Sequence, residues 1–360
     1  MIDFCRVFDL EPQPPVFLAE IGTFFNKDIS SGIKIIEEIS RVRDARQELP
    51  ILLKGEVLHS ADICRVDAAA AERFVDSTGK QYTEKFRSLI ERKTVPFEEY
   101  AKLFARSTAL GFDLVLSVYD SKGAVFAVEQ KAVALKIASS NLRHPALHAD
   151  VAALNVPMII DEGRAPLSAV AATVERLKGA GVRHLLLEHS PDGHPAHPEA
   201  HNLRIAETYK QAFGLPVGLS DHYRGEEMLY AATALGYNLL EKGIALDCDA
   251  PDQGLSHAMP VERLGRVLAK IHDVYQACAG EPRRPLRREY KGNLGTSAHM
   301  GIVAARMVVP GEKVDRHTVG FAFPVGDGIG AEHWDLIEGW SFSNSLPAGA
   351  LLHWKDLLPS

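Results

Sequence analysis

The sequence predicts an α/β protein, a (β/α)8 TIM barrel followed by a small, mostly β domain. Over the first 280 residues, eight short apolar runs alternate with amphipathic stretches, which is the rhythm of parallel strands joined by helices. Near residue 281 this rhythm stops, and short segments broken by Gly- and Pro-containing turns follow. We therefore expect two domains of different architecture.

Most of the predicted strands are continuously apolar and rich in Val, Ile and Leu, as expected for strands buried on both faces. Between them, apolar residues recur with the helical period, and Pro or Gly marks several helix ends. The predicted strands are Val16–Ile21, Ile51–Glu56, Asp113–Val118, Val133–Ala138, Pro157–Asp161, Arg183–Glu188, Pro216–Ser220 and Asn238–Ala245. The predicted helices include Ser31–Arg43, Phe97–Leu110, Leu167–Ala180, Arg224–Leu235 and Pro260–Ala277.

Residues 57–96 form a connection that is too long for a single helical crossover between the second and third strands. We expect this segment to extend over the C-terminal mouth of the barrel, where active sites of such barrels lie. Glu281–Arg288 is basic and contains prolines, which is typical of an extended linker. The predicted domains are residues 1–280 for the barrel, 281–293 for the linker and 294–360 for the β domain.

The composition excludes several classes of protein. Of the 360 residues, 46% are hydrophobic and 24% are charged, and the formal net charge is −7, so we expect no nucleic-acid partner, which would require a basic face. No apolar run approaches the roughly 20 residues of a membrane helix, which predicts no membrane association. The four cysteines stand far apart without a CxxC pair, which predicts a cytoplasmic protein with reduced thiols.

Polar side chains stand at or near the C-terminal ends of the predicted strands, which face the barrel mouth. Lys54 and Lys136 can supply positive charge for a phosphate or carboxylate group, and the acids can orient these lysines or hold a metal ion. Taken singly, each residue is equally well explained as part of a salt bridge that closes the barrel. In chain order the group comprises Glu20, Lys54, Glu56, Ser117, Lys136, Ser139, Asp161, Glu162, Glu188, His189, Ser220, Asp221, His222, Glu241 and Lys242.

Histidines form two features of the sequence. His222 follows the seventh predicted strand beside Asp221, and this position favours a metal-ligand or acid–base role. A second group runs from His189 to His201, matches no closed zinc pattern and is interrupted by prolines. We therefore expect most histidines of that run to be solvated.

Five segments carry a resemblance to a known family: AEIGTFFNKD (19–28), ALKIASSN (134–141), EHSPDGHP (188–195), PVGLSDHYRG (216–225) and ALGYNLLEKGIALD (234–247). They follow one another in the order seen in the sialic acid synthases, and the chain resembles that family, which includes the spore coat polysaccharide biosynthesis protein E group. VPGEKVDRHTVGFAFP (309–324) is similar to the opening of the family's C-terminal antifreeze-like (SAF) domain.

The resemblance implies an enzyme that condenses phosphoenolpyruvate with an amino-hexose and releases phosphate, in surface or spore-coat polysaccharide biosynthesis. It also implies a divalent metal, manganese or magnesium, and a domain-swapped homodimer in which one chain's SAF domain covers its partner's barrel mouth. By position, the family's active-site acids match Glu20, Glu241 and Asp252, and its substrate-binding residues match Lys54, Lys136, Ser139 and Ser220. Ser117 and Asp192 are predicted to bind substrate beside them.

Several motif positions depart from the family, and the metal site is the most affected. His222 matches the first metal-ligand histidine, but the family's EKH motif reads Glu241-Lys242-Gly243, so Gly243 stands where the second histidine is expected. We therefore predict weak metal binding, because one imidazole rarely holds manganese firmly without further oxygen ligands. The candidate helper ligands are Glu56, Asp161 and Glu162.

In the second domain, the family's sugar-contacting arginine belongs to an RRS motif that reads Gly295-Thr296-Ser297 here. Two alternatives to a divergent synthase therefore stay open. One is a different barrel activity on a phosphorylated sugar or keto acid, and the other is a non-catalytic, ligand-binding subunit of the same pathway. Retention of Glu20, both lysines and His222 favours the synthase.

Overall fold

The computed structural model describes residues 7–10, 13–45, 49–66, 69–279 and 299–359. The chain divides into two compact units, Met1–Ala279 and Gly280–Ser360. The predicted linker at 281–293 lies outside the described residues. None of the helices in the described ranges combines the length and the hydrophobicity that are needed to span a bilayer.

The first unit confirms the predicted barrel. Within the residues described up to 279, eight parallel strands pair in chain order and the last pairs with the first, which closes the sheet. Nearly every residue of these strands is buried, which explains their uninterrupted apolar sequence. The strands are β1 (Val16–Gly22), β2 (Ile51–Val57), β3 (Leu114–Val118), β4 (Ala134–Ile137), β5 (Met158–Asp161), β6 (Leu185–His189), β7 (Val217–Asp221) and β8 (Leu239–Ala245).

Helices follow the strands, with their apolar sides buried. In α1, Ile35, Ile36 and Ile39 are buried, whereas Ile33 is only partly buried. The helices of this unit are α1 (Ile29–Ala45), α2 (Phe86–Lys93), α3 (Phe97–Ala109), α4 (Ser121–Glu129), α5 (Pro145–Ala152), α6 (Leu167–Gly179), α7 (Pro198–His201), α8 (Ile205–Phe213), α9 (Glu227–Ala234) and α10 (Val261–Cys278).

The register of the barrel brings polar residues of adjacent strands to the same level. Because side chains alternate between the two faces of a strand, a shift of one residue would turn these groups away from the mouth. The facing pairs are Glu20 and Lys54, Ser117 and Lys136, and Ser220 and Glu241.

The long connection after β2 contains an antiparallel hairpin, Ala71–Val75 paired with Gln81–Lys85, followed by α2. The guanidinium of Arg224, on the loop after β7, donates to the backbone oxygens of Val75 at 2.9 Å and Asp76 at 2.5 Å. On α2, Arg92 and Lys93 bind the buried carboxylate of Asp252 at 2.6 and 2.9 Å. These bonds fix the excursion against the loops of the barrel mouth.

The second unit is small and mostly β, as predicted. It has two antiparallel pairs, β9 (Gly301–Ala304) with β10 (Val319–Ala322), and β11 (Ser341–Phe342) with β12 (Leu357–Leu358), and the short helix α11 (Trp334–Ile337). Its own apolar core is formed by side chains that include Ile302, Val314, Val319, Ile337, Phe342 and Leu352.

Candidate active site

A cavity of about 700 Å³ opens at the C-terminal ends of the barrel strands. Side chains of the excursion, among them Glu72, Leu89 and Lys93, contribute to its wall, so residues 57–96 reach the mouth of the barrel. Ten of the site residues predicted from the sequence line this cavity: Glu20, Lys54, Glu56, Ser117, Lys136, Ser139, Asp161, Ser220, His222 and Glu241.

Lys54 and Lys136 meet at a single carboxylate. The ammonium nitrogens of Lys54 and Lys136 lie 3.2 and 2.8 Å from Oε1 of Glu241, and the hydroxyl of Ser220 donates to the same oxygen at 3.0 Å. All four side chains are almost completely buried. The predicted strand ends therefore converge on one compact, charged group.

The carboxylates outnumber the lysines in this group. Lys54 also pairs with Glu20 and lies 3.7 Å from Glu56, while Lys136 lies 2.6 Å from Glu188 and 3.4 Å from Asp161. Together with Glu241, five carboxylates among the described residues surround two ammonium groups. If every acid were ionised, the group would carry an excess of buried negative charge, which is costly.

The acids respond differently to this environment. Burial raises the pKa of Glu20 to about 7 and that of Glu188 to about 8, and the nearby Glu241 adds to both shifts. Burial would also raise the pKa of Glu241, but the ammonium groups of Lys136 and Lys54 lower it to about 2. Glu241 is thus a permanent counter-ion, whereas Glu20 and Glu188 exchange protons near neutral pH.

Three residues with a predicted catalytic, substrate-binding or metal-helper role lie outside the lining of the cavity, as do the other strand-end residues Glu188, His189, Asp221 and Lys242. Asp192 is exposed and pairs with Arg164 at 2.8 Å. Glu162 is buried, and its carboxylate is bound to His189, with Oε1 2.5 Å from Nδ1 of that ring. Asp252 is held by Arg92 and Lys93, just before Gln253, which lines the cavity.

The expectation that most histidines between 189 and 201 are solvated is wrong for His189 and His201. His189 is buried against Glu162, and His201 is buried with Nε2 at 3.2 Å from the carboxylate of Asp221. Glu162 directly follows β5 and Asp221 ends β7, so the sequence around these histidines gave no sign of their partners. His194 is partly buried and His197 is exposed.

A cluster of imidazoles, which the sequence did not predict, lines the cavity beside the lysines. The ring centroids of His222 and His257 are 4.5 Å apart, and the ring of His194 lies 4.9 Å from the first and 5.3 Å from the second. Nδ1 of His222 is buried and has no hydrogen-bond partner among the described residues. In this part of the chain no group of three or more His, Cys, Asp or Glu side chains is arranged as a ready metal site.

Gly243, which stands where the family has a histidine, is packed against an aromatic ring. A Cβ atom at Gly243 would lie 2.9 Å from Cζ of Phe24, and one at Gly254 would lie 2.5 Å from Cε1 of the same ring. Such distances require the ring to move. Phe24 therefore occupies the space that a side chain at position 243 would need.

We expect Gly243→Ala to destabilise the protein by about 1–3 kcal/mol, because it overpacks this contact. In a Phe24→Ala background the same substitution should cost less, since the ring is gone, and denaturant unfolding measures both values. Gly179→Ala is the matched control, because its added methyl group would meet no described atom within 4 Å beyond its chain neighbours and the backbone of its own helix. Strict additivity of Gly243→Ala and Phe24→Ala would contradict this explanation.

Comparisons with known proteins agree with the two units of the fold. A model of the NeuB family matches residues 58–282, and a SAF domain model matches residues 299–358. The resemblance drawn from the sequence motifs is thereby confirmed.

Individual proteins show the same similarity. The chain is 27% identical to an uncharacterized protein of Methanocaldococcus jannaschii, over 96% of this chain and 95% of that one. It is 24% identical to the N,N'-diacetyllegionaminic acid synthase of Legionella pneumophila, over 72% and 73% of the two chains. A structure from Chromobacterium violaceum, assigned as a spore coat polysaccharide biosynthesis protein E, superposes with a TM-score of 0.69 at 21% identity, covering 96% of this chain and 100% of that one.

Proposed function

The chain belongs to the NeuB family, and we propose that it is a synthase that condenses phosphoenolpyruvate with the aldehyde of an amino-hexose. The observation that carries this proposal is the pair of buried ammonium groups of Lys54 and Lys136, joined by Glu241 at the floor of the cavity. Polysaccharide biosynthesis is the setting in which we expect the product to be used.

The lysine pair suits a small substrate with two anionic groups. A phosphate and a carboxylate can each form charge-assisted hydrogen bonds with an ammonium group, and low local polarity strengthens such bonds. Ser117 lines the cavity, and its buried Oγ has no hydrogen-bond partner among the described residues. This hydroxyl and that of Ser139 are therefore further groups for binding the anion.

Glu20 is the group that we expect to move a proton during the condensation. The reaction forms a bond between C3 of phosphoenolpyruvate and the aldehyde carbon, adds water at C2, releases phosphate and leaves a proton on the former aldehyde oxygen. A carboxyl group with a pKa of about 7 can both donate and accept a proton at neutral pH. Glu241 stays ionised and positions the lysines.

The binding of phosphoenolpyruvate is expected to weaken as pH rises through about 7 to 8. At lower pH Glu20 and Glu188 are protonated and neutral, so the positive charge of the lysines is available to the incoming anion. At higher pH both acids ionise and repel the anion. Calorimetry in buffers of different ionisation enthalpy should also detect proton uptake on binding. The variant Glu188→Gln should flatten the upper part of the profile, and affinity that increases with pH would contradict the assignment.

A different activity on a phosphorylated sugar or keto acid is the second candidate. The observation that favours it is the surplus of carboxyl groups around the lysines, which Glu56, Asp161 and Glu188 supply. Such acids could serve as additional acid–base groups. A homodimer with exchanged SAF domains and a cytoplasmic location remain predictions for either candidate.

The test is to incubate the purified chain with phosphoenolpyruvate, a divalent metal and a panel of amino-hexoses while following phosphate release. Release that requires a sugar supports the synthase. Turnover of another phosphorylated sugar or keto acid, with no release from phosphoenolpyruvate, would support the second candidate. Binding of phosphoenolpyruvate without turnover of any substrate would favour a non-catalytic subunit.

A further inference from the structure

A second cavity of about 390 Å³, which we call the α5–α6 groove, lies between the segment that leads into α5 and one face of α6. On α6, Ala169, Ala172 and Arg176 recur every three or four residues, which places them on one side of the helix. Arg143 and His148 contribute from the other side of the groove. No described residue lines both this groove and the cavity at the barrel mouth.

The α5–α6 groove is positively charged. Arg143 and Arg176 line it, and none of its described lining residues is acidic, although the whole chain has a formal net charge of −7. Neither guanidinium has a hydrogen-bond or ion-pair partner among the described residues. Arg164, on the loop before α6, is by contrast paired with Asp192 at 2.8 Å. Two unpaired guanidinium groups along one groove are donors that suit an oxyanion.

His148 is the buried polar group of the groove, with only 1% of its surface exposed. Nε2 lies 3.0 Å from the backbone oxygen of Asn141, which can only accept a hydrogen bond, so Nε2 carries the proton. Burial lowers the pKa of His148, the bond to Asn141 offsets this in part, and Arg176 and His144 lower the pKa further. The ring is therefore neutral, and Nδ1 is an acceptor that is buried without a partner in the described parts of the chain, which costs free energy.

A ligand that suits these groups presents negatively charged oxygens to the guanidinium groups and a proton to Nδ1 of His148. Inorganic phosphate offers both near neutral pH, because its hydrogen phosphate forms keep at least one P–OH group. Sulfate and carboxylate ions have no proton to donate at this pH. Most phosphate monoesters have also lost theirs, since their second pKa is about 6. The chemistry of the groove therefore favours free phosphate over these other anions.

We propose that Arg143, His148 and Arg176 form a binding site for inorganic phosphate that is separate from the lysine pair. The two guanidinium groups hold the anionic oxygens, and Nδ1 of His148 accepts a hydrogen bond from the P–OH group. The proposal rests on the proposed function only for the source of the ion, because the condensation releases phosphate.

The phosphate site is bonded to the same stretch of backbone that reaches the barrel mouth. Ser139 and Asn141 line the cavity there. Nε2 of His148 binds the backbone oxygen of Asn141, and Oγ1 of Thr173 donates to that of Leu142 at 2.8 Å. A donor at Nδ1 strengthens the hydrogen bond that Nε2 makes, because linked hydrogen bonds polarise one another. Phosphate in the groove therefore stabilises the turn that carries Ser139.

The experiment is equilibrium dialysis of the full-length protein with radiolabelled inorganic phosphate near neutral pH, with calorimetry of phosphoenolpyruvate on the same samples. Arg143→Gln and Arg176→Gln should each weaken phosphate binding at the groove by at least about tenfold, the effect of losing one charge-assisted hydrogen bond. Both variants should leave the affinity for phosphoenolpyruvate unchanged. Arg164→Gln is the matched control, because Arg164 is exposed beside α6 but does not line the groove, and it should change neither affinity.

Lys136→Met, with its mouth site impaired, should keep the phosphate site of the groove, and Lys54→Met replaces it if circular dichroism shows that it does not fold. In that variant, sulfate and glycerol phosphate should displace labelled phosphate at least about tenfold less effectively than unlabelled phosphate does. Equal phosphate binding by wild type and the folded Arg143 and Arg176 variants, or complete loss of phosphate binding in the folded lysine variant, would overturn the proposal. So would displacement by sulfate or glycerol phosphate as effective as that by phosphate. Intact phosphate binding at the groove, without any binding of phosphoenolpyruvate by wild type, would refute only the proposed function.

Discussion

Lys136→Met is expected to weaken the binding of phosphoenolpyruvate by at least ~30-fold, which corresponds to the ~2 kcal/mol lower limit for losing one partner of a buried charge pair. The substitution keeps an unbranched side chain but removes the ammonium group that lies within 4 Å of Glu241, Glu188 and Asp161. Isothermal titration calorimetry measures the change. The folded protein should also be less stable, because these acids lose their buried cation.

Lys242→Met provides the matched control for this loss of charge. Lys242 is equally buried and pairs with Asp221 at 2.8 Å, but it does not line the cavity. Its replacement should lower stability while leaving the affinity for phosphoenolpyruvate unchanged. Equal affinities of wild type and a folded Lys136→Met variant would remove Lys136 from the anion site.

Glu20→Gln is expected to lower turnover by about 100- to 10,000-fold, the usual contribution of a general acid or base. The amide has nearly the same shape as the carboxyl group but cannot transfer a proton, and Glu20 is the cavity-lining acid with a pKa of about 7. Steady-state kinetics should show the loss in kcat, with little change in the KM for phosphoenolpyruvate.

Glu56→Gln is the control for the Glu20 substitution. Glu56 also lines the cavity and lies 3.7 Å from the same lysine, but its carboxylate accepts a hydrogen bond from the hydroxyl of Tyr119 at 3.0 Å. The Glu56→Gln variant should therefore keep most of the turnover of the wild type. If the two variants lost activity equally, the effect would come from altered charge near Lys54 and not from proton transfer by Glu20.

The barrel could be predicted from the sequence because its strands are buried on both faces and consequently lack polar interruptions. Each predicted strand overlaps an observed one, and the last was predicted as Asn238–Ala245 against an observed Leu239–Ala245. The lysine pair could be predicted for a related reason. A charged residue in an otherwise apolar strand, as at Lys54 and Lys136, needs a partner at the barrel mouth.

The imidazole cluster could not be predicted, because no local pattern links its members. His257 lies in a loop with no periodic sequence, and His194 belongs to a proline-interrupted run that predicts a solvated loop. The role of Phe24 also depends on tertiary packing, since Gly243 and Gly254 reach its ring from different segments. For the same reason, the missing family histidine gave no indication that another histidine lies nearby.

The proposed function requires that the chain form a carbon–carbon bond between phosphoenolpyruvate and a sugar aldehyde. The most direct measurement uses phosphoenolpyruvate labelled at C3, incubated with the purified protein and amino-hexoses, with the products followed by nuclear magnetic resonance. We predict that the label becomes a saturated methylene carbon bonded to the former aldehyde carbon, with one phosphate released for each bond formed. Label that stays in phosphoenolpyruvate, or that appears only in the methyl group of pyruvate, would contradict the claim.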